Sequence, residues 1–258
     1  MKENKLHILL VDDDDLNRRM MSLLLADQGY SFDTASNGAE AVAAVQSKPY
    51  DFVLMDLQMP ILDGFEATRQ IRASEKDDQH IPIVALTAML FENEISLCME
   101  AGMDDCLVKP FDAKQLLEMV ENYSDSSKRL SQAGHVEEDD QIETAPTLDI
   151  EEALPRFGGD IQSYEEFLNE FIDLLPEKVV EIQAAFLSND LETLAKKAHN
   201  LRGVSASLGA KQLSNLALRL DQECQDADAE VISELLTEIE SNVSMFRVEA
   251  TKELQKFT

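Results

Sequence analysis

The first half of this chain keeps a rhythm that the second half drops, and that break limits the possible folds more than any single motif. Short apolar runs at Leu6–Val11, Phe32–Ala35, Phe52–Met55, Ile81–Leu86 and Asp105–Val108 alternate with helical patterns, among them Leu16–Gln28, Asn37–Ser47, Phe65–Ala73 and Asp112–Tyr123. Apolar runs of strand length between amphipathic helices read as buried parallel strands. Five βα units predict a doubly wound α/β domain, a five-stranded parallel (βα)5 sheet over residues 1–123. In such a sheet the reactive groups gather beyond the carboxyl ends of the strands.

Residues 124–147 fit neither pattern: Ser, Asp, Glu, Gln and Gly dominate, which predicts a flexible acidic linker. From Leu148 onward every apolar pattern is helical. Gly158-Gly159-Asp160 reads as a turn and N-cap ahead of Ile161–Leu187, with Pro176 a candidate kink or break. Asp190 caps Leu191–Leu208 and Gly209 stops it, and Lys211–Gln225 and Val231–Phe257 follow. Helices joined by short turns predict an all-α second domain over residues 148–258, an antiparallel four-helix bundle.

The formal charge of −29 and pI near 4.3 oppose nucleic acid and anionic membrane as partners. Three widely spaced cysteines suit neither a disulfide framework nor a zinc site. The apolar stretch near the start is too short for a signal peptide, and no run approaches the ~18 residues of a membrane span. The expectation is a cytoplasmic chain with no membrane insertion.

Four strand ends carry groups that chemistry can use. Asp12 and Asp13 follow the first strand, Asp56 ends the third, Thr87 the fourth, and Lys109 the fifth. Parallel strands bring all five to one edge. Clustered carboxylates need neutralising, and oxygen-only ligands with room for water suit Mg2+ better than zinc. Asp56 is then placed to attack phosphorus and form an acyl phosphate, with Thr87 and Lys109 offering a hydroxyl and an ammonium to the phosphoryl oxygens. Asp14 and Asp15 read as solvated surface.

Val11-Asp12-Asp13, Met55-Asp56-Leu57-Gln58-Met59-Pro60, Asp63-Gly64, Leu86-Thr87-Ala88, Ala101-Gly102-Met103-Asp104-Asp105 and Lys109-Pro110-Phe111 together resemble a response-regulator receiver domain over residues 5–123. The resemblance implies phosphorylation of Asp56 and Mg2+ held by Asp13, Asp56 and the Gln58 backbone carbonyl, with Asp12 reaching it partly through water. It also implies that Lys109 and Thr87 contact the phosphoryl group and that Lys109-Pro110 is a cis peptide. The chain departs from that family at Cys106, where an aromatic residue that swings with Thr87 is usual. Met89, where the family tunes hydrolysis, is expected to slow water attack by its apolar bulk.

Among four histidines, His7, His80 and His135 have no helpful sequence neighbour and read as structural or exposed. His199 differs. Leu191, Leu194, Ala198, Leu201, Ser205 and Leu208 form the buried stripe of its helix, and His199 lies beside that stripe, where it is expected to be accessible. Arg202 and Gly203 follow at three and four residues, on the same face, and Lys196 adds charge one turn earlier. An arginine there can pair with phosphate on the imidazole, and a mid-helix glycine opens a path to it. Ala198-His199-Asn200-Leu201-Arg202-Gly203-Val204-Ser205 is similar to the histidine-containing phosphotransfer (HPt) family, with Arg202 where that family usually has Lys. The resemblance implies that His199 carries phosphate on a ring nitrogen. No kinase ATP-binding domain is recognisable.

The leading expectation is a two-component phosphorelay intermediate. A sensor histidine kinase upstream phosphorylates Asp56, and His199 exchanges phosphate with a receiver, either a downstream response regulator or the chain's own. The alternative is an adaptor whose binding is switched by phosphorylation of Asp56, with His199 little used. A metal-dependent phosphatase is the weakest reading, because such enzymes usually have a second Asp where Gln58 stands.

Overall fold

A computed structural model describes residues 6–76, 80–87, 92–124 and 146–256. The chain divides into two units, Met1–Val136 and Glu137–Thr258. In the first, β1 (His7–Val11), α1 (Asp15–Asp27), β2 (Ser31–Ala35), α2 (Gly38–Ser47), β3 (Phe52–Asp56), α3 (Gly64–Ser74), β4 (Ile83–Thr87), α4 (Glu92–Ala101), β5 (Asp105–Val108) and α5 (Ala113–Ser124) alternate without interruption. The strands form one parallel sheet in the order β2-β1-β3-β4-β5. Both faces are covered, which is why these strands read as continuous apolar runs. Leu9, Val11, Val53 and Met55 pack toward α2 and α3, and Ile8, Leu10, Leu54 and Leu86 toward α1 and α5.

Register turns this sheet into a site. Val11 pairs with Met55, Asp56 with Leu86, and Thr87 with Val108, so the residues ending these strands emerge side by side. Helix starts are fixed by the side chains the sequence supplies: Asp14, Asn37 and Asp63 each accept backbone N–H groups at the N-cap. Asp112 and Gln115 exchange backbone-to-side-chain bonds of 2.8 and 2.7 Å at the start of α5. Gly64 lets α3 press against the end of β3: a Cβ there would lie 2.2 Å from the Asp56 carbonyl oxygen.

The second unit comprises α6 (Ile150–Ala153), a 3₁₀ turn at Leu154–Phe157, α7 (Ile161–Leu187), α8 (Leu191–Ser207), α9 (Lys211–Asp226) and α10 (Ala229–Leu254). Helix α8 packs on α9, α9 on α10, and α7 on both α8 and α10, closing a four-helix bundle. Glu181–Lys197, Arg202–Ser214 and Gln212–Asn242 each lie about equally far from the short turn that joins their helices, so consecutive helices run antiparallel. Pro176 neither divides nor ends α7. The proline is exposed, and buried Ile172, Leu175 and Ile182 on either side tie the helix to the bundle across the missing bond.

The segment before α7 is more ordered than its sequence pattern indicates. Arg156 donates to the carbonyl of Ala206 at 2.8 Å, capping the end of α8, and the Tyr164 hydroxyl donates to Leu208 O at 3.0 Å. Asp149 N–H bonds to Gly209 O at 2.9 Å, and Gly209 has a φ of +79°. The segment expected as a linker falls mostly on residues 125–145, outside the described residues. Among the described residues no helix is long and apolar enough to cross a membrane.

Candidate functional site

The carboxylate cluster lies at the carboxyl edge of the sheet, closed from below by the sheet itself. Asp12 is 0% exposed, and Asp56 and Thr87 are each 3% exposed. Lys109 Nζ donates to Asp12 Oδ2 at 2.6 Å and to Asp56 Oδ2 at 2.9 Å. Its backbone N–H bonds to the Thr87 carbonyl at 2.6 Å, which ties the ends of β4 and β5 together. The Lys109-Pro110 peptide is cis. Asp12, Asp13 and Asp56 each offer an oxygen within 4.8 Å of the others.

Charge does not balance in this cluster: three carboxylates share one ammonium. Burial pushes the Asp12 carboxyl up to about 7, against the pull of Lys109, and the nearby Asp56 adds to the rise. Burial works to lower Lys109, but the attraction of Asp12 and then Asp56 outweighs it and holds its pKa above the ordinary lysine value. A buried, oxygen-only cluster with excess negative charge fits a hard divalent cation. Gln58 follows in the turn that leaves β3, with its side chain exposed.

Asp14 departs from its expected place on the surface. It is buried and accepts from Leu16 N–H at 2.9 Å and Asn17 N–H at 3.2 Å, because α1 starts there and its first amides need an acceptor. Asp15 is exposed as expected. Cys106 packs into the core with Cys98 and Met103. Met89 lies outside the described residues.

His199 is less accessible than its position beside the stripe indicates: it is 9% exposed. The reason is α9, which lies across it. Nδ1 is sealed from solvent, has no hydrogen-bond partner, and stands 3.7 Å from Asp221 Oδ2. Arg202 lies one turn further along α8, half-buried, and its carbonyl accepts the Ser214 hydroxyl at 3.2 Å. Lys196 pairs with Glu192 at 2.8 Å. Asp221 was invisible to motif reading because it is on another helix. The tight α8–α9 turn carried the signal, since in an antiparallel hairpin residues about equally far from the turn face each other.

His7 and His80 each have a partner that sequence neighbours did not reveal. His7 Nε2 is 2.8 Å from Asp33, and His80 Nε2 is 2.6 Å from Asp104 beside Arg72. Both lie toward the opposite edge of the sheet, away from the carboxylate cluster. His135 lies outside the described residues.

Residues 8–121 match the response regulator receiver domain, and residues 166–255 match the Hpt domain. The chain is 31% identical over 94% of its length to the sensor histidine kinase GacS of Pseudomonas protegens, of which the match covers 27%. It is 28% identical over 91% of its length to the signal transduction histidine-protein kinase BarA of Escherichia coli, of which the match covers 26%. The chain thus spans about a quarter of the length of these relatives. Among solved structures, the receiver domain of a sensor histidine kinase from Pseudomonas aeruginosa, with a magnesium ion coordinated in its active site cleft, is 36% identical. That match covers 47% of this chain and 99% of the other, with a TM-score of 0.44.

Proposed function

Because the chain is a response-regulator receiver domain followed by an Hpt domain, the paired parts of a two-component phosphorelay, we propose that it relays a phosphoryl group through Asp56 and His199. The observation that carries this reading is the presence in one chain of two complementary acceptors. One is a carboxylate beside a buried ammonium, and the other is an imidazole whose Nδ1 is sealed, which leaves Nε2 as its reactive nitrogen. The working units are residues 1–123 and 148–258, joined by 124–147, in a cytoplasmic setting.

In the first step a carboxylate oxygen of Asp56 attacks the phosphorus of a phosphohistidine on a sensor kinase. A P–O bond forms, the P–N bond breaks, and the electron pair returns to the departing imidazole. Lys109 turns from its two carboxylates toward the added phosphoryl oxygens, and the Thr87 hydroxyl donates from the neighbouring strand. Asp13, Asp56 and the Gln58 carbonyl would hold Mg2+, with Asp12 reaching it partly through water, and the ion when bound would neutralise the carboxylates and the incoming phosphoryl group.

His199 takes phosphate through Nε2, since Nδ1 is closed off. The Nε2 lone pair attacks the phosphorus of an acyl phosphate, the P–O bond to the aspartate breaks, and the carboxylate is restored. Asp221 makes no hydrogen bond to Nδ1, but its carboxylate 3.7 Å away would favour a proton there electrostatically, leaving Nε2 to attack. Arg202 pairs with the transferred phosphoryl oxygens. The donor is this chain's own Asp56 or another receiver, and a downstream receiver accepts from His199. A linker of this length would hold the two sites at an effective concentration on the order of mM.

The test is phosphate localisation by peptide mass spectrometry after incubation with Mg2+ and acetyl phosphate, for wild type, Asp56→Asn, His199→Gln and Asp221→Asn. Phosphohistidine should form in wild type, vanish in Asp56→Asn and His199→Gln, and form roughly 10- to 100-fold more slowly in Asp221→Asn, somewhat below the loss of a full general base. Phosphate confined to Asp56, with His199 bare even when a cognate receiver is supplied, would reject the relay in favour of a phosphorylation-switched adaptor.

A further inference from the structure

The loop carrying Asp12 and Asp13 is held by a residue that neither motif uses. The Asp12 N–H is tied to Ala35 O at 3.2 Å, but its carbonyl points away from the sheet's pairing. Arg18, one turn into α1, meets that carbonyl: Nη1 donates to Asp12 O at 2.6 Å, and Nη2 pairs with Asp15 Oδ1 at 2.9 Å. The side chain is only 15% exposed. The Asp12 side chain adds a separate tie: its Oδ1 accepts from Asp14 N–H at 3.0 Å, and Asp14 in turn caps α1. The backbone that aims both carboxylates is therefore pinned by one guanidinium from the next helix.

We propose that Arg18 is a positioning residue for the divalent cation, acting through the Asp12–Asp13 peptide and strengthening Mg2+ binding without being a ligand. This rests on the reading of Asp12, Asp13 and Asp56 as the Mg2+ site. Two effects compete. A positive charge near a cation site repels the cation, so charge alone would make removal of Arg18 tighten binding. Release of the Asp12 carbonyl frees the peptide that orients two ligands, and partners that orient metal ligands are commonly worth ~10- to 100-fold in affinity. Asp15 already offsets the guanidinium charge, so positioning prevails. A lysine keeps the charge but lacks the rigid fork that reaches both oxygens.

The experiment is Mg2+ titration calorimetry on the full chain, comparing wild type, Arg18→Ala, Arg18→Lys and Asp13→Asn, with folding verified by thermal unfolding in EDTA. Arg18→Ala should bind Mg2+ about tenfold more weakly, and Arg18→Lys should fall between it and wild type. In acetyl-phosphate assays the half-saturating Mg2+ should rise by the same factor, with the rate at saturating Mg2+ unchanged. Binding that is abolished by Asp13→Asn but equal or tighter in Arg18→Ala overturns the role of Arg18 and leaves the metal site standing. Binding that survives Asp13→Asn overturns the metal site, and the role of Arg18 with it. Should Arg18→Ala unfold, Arg18→Lys decides, and an affinity equal to wild type rejects the proposal.

Discussion

Burial sets the terms on which Asp12 meets a cation. Its carboxyl is raised from 3.8 to about 7, first by desolvation. Between those values the folded chain holds a proton that the unfolded chain has released. Asp12 therefore contributes stability at low pH that is lost as pH rises through about 7, because burial outweighs its salt bridge to Lys109. A cation that needs the ionised form must displace that proton. Mg2+ affinity should climb with pH up to about 7 and then flatten, as the carboxyl ionises on its own. Calorimetry at pH 6 in two buffers of different ionisation heat should reveal proton release on Mg2+ binding, fading by about pH 8 and absent in Asp12→Asn. A buffer-independent heat at pH 6 would place the proton elsewhere.

At the scale of elements, one backbone contact decides how the bundle is closed. Gly209 sits between α8 and α9 with φ +79°, and a Cβ there would lie 2.2 Å from the Asp149 carbonyl oxygen. Gly209→Ala meets both a backbone penalty and a clash with main chain that cannot rotate away. It should cost roughly 2–4 kcal/mol, read as a lower midpoint of bundle unfolding with no change in the receiver. The sequence held half of this contact. Gly209 as a helix stop was legible from its place after Leu208, but α6 was not, because Ile150–Ala153 is too short for a periodic signal. The strands were legible for the opposite reason: burial on both faces makes each one an unbroken apolar run. For the same reason the sequence pattern alone brings the groups ending four strands to one edge. Helix α4, Glu92–Ala101, has no sequence pattern that sets its bounds. Asp221, Arg18 and the burial of His199 depend on which residues face each other across elements, and no local pattern encodes that.

For the whole molecule, charge and cores point to two bodies that fold separately and share one electrostatic character. The receiver has its own sheet-centred clusters, and the bundle buries Tyr164, Phe171, Phe246 and, from the stripe, Leu194, Ala198 and Leu201. Each unit is of the size that sustains a core without help. A net charge of −29 gives both a field that repels nucleic acid and favours cations. Separate cores predict that scanning calorimetry of the full chain in EDTA resolves two transitions, and that fragments 1–123 and 148–258 each reproduce one of them. Mg2+ binds the folded receiver alone in this scheme, so its free energy enters only one transition. At ~100 times its dissociation constant the ion should stabilise the receiver by about 2.7 kcal/mol. The bundle midpoint should hold still, and Asp13→Asn should remove the shift. If Mg2+ raised both midpoints together in the full chain but only one in a mixture of the fragments, the two bodies would be coupled in folding. The relay would then have to be treated as one cooperative unit instead of two tethered ones.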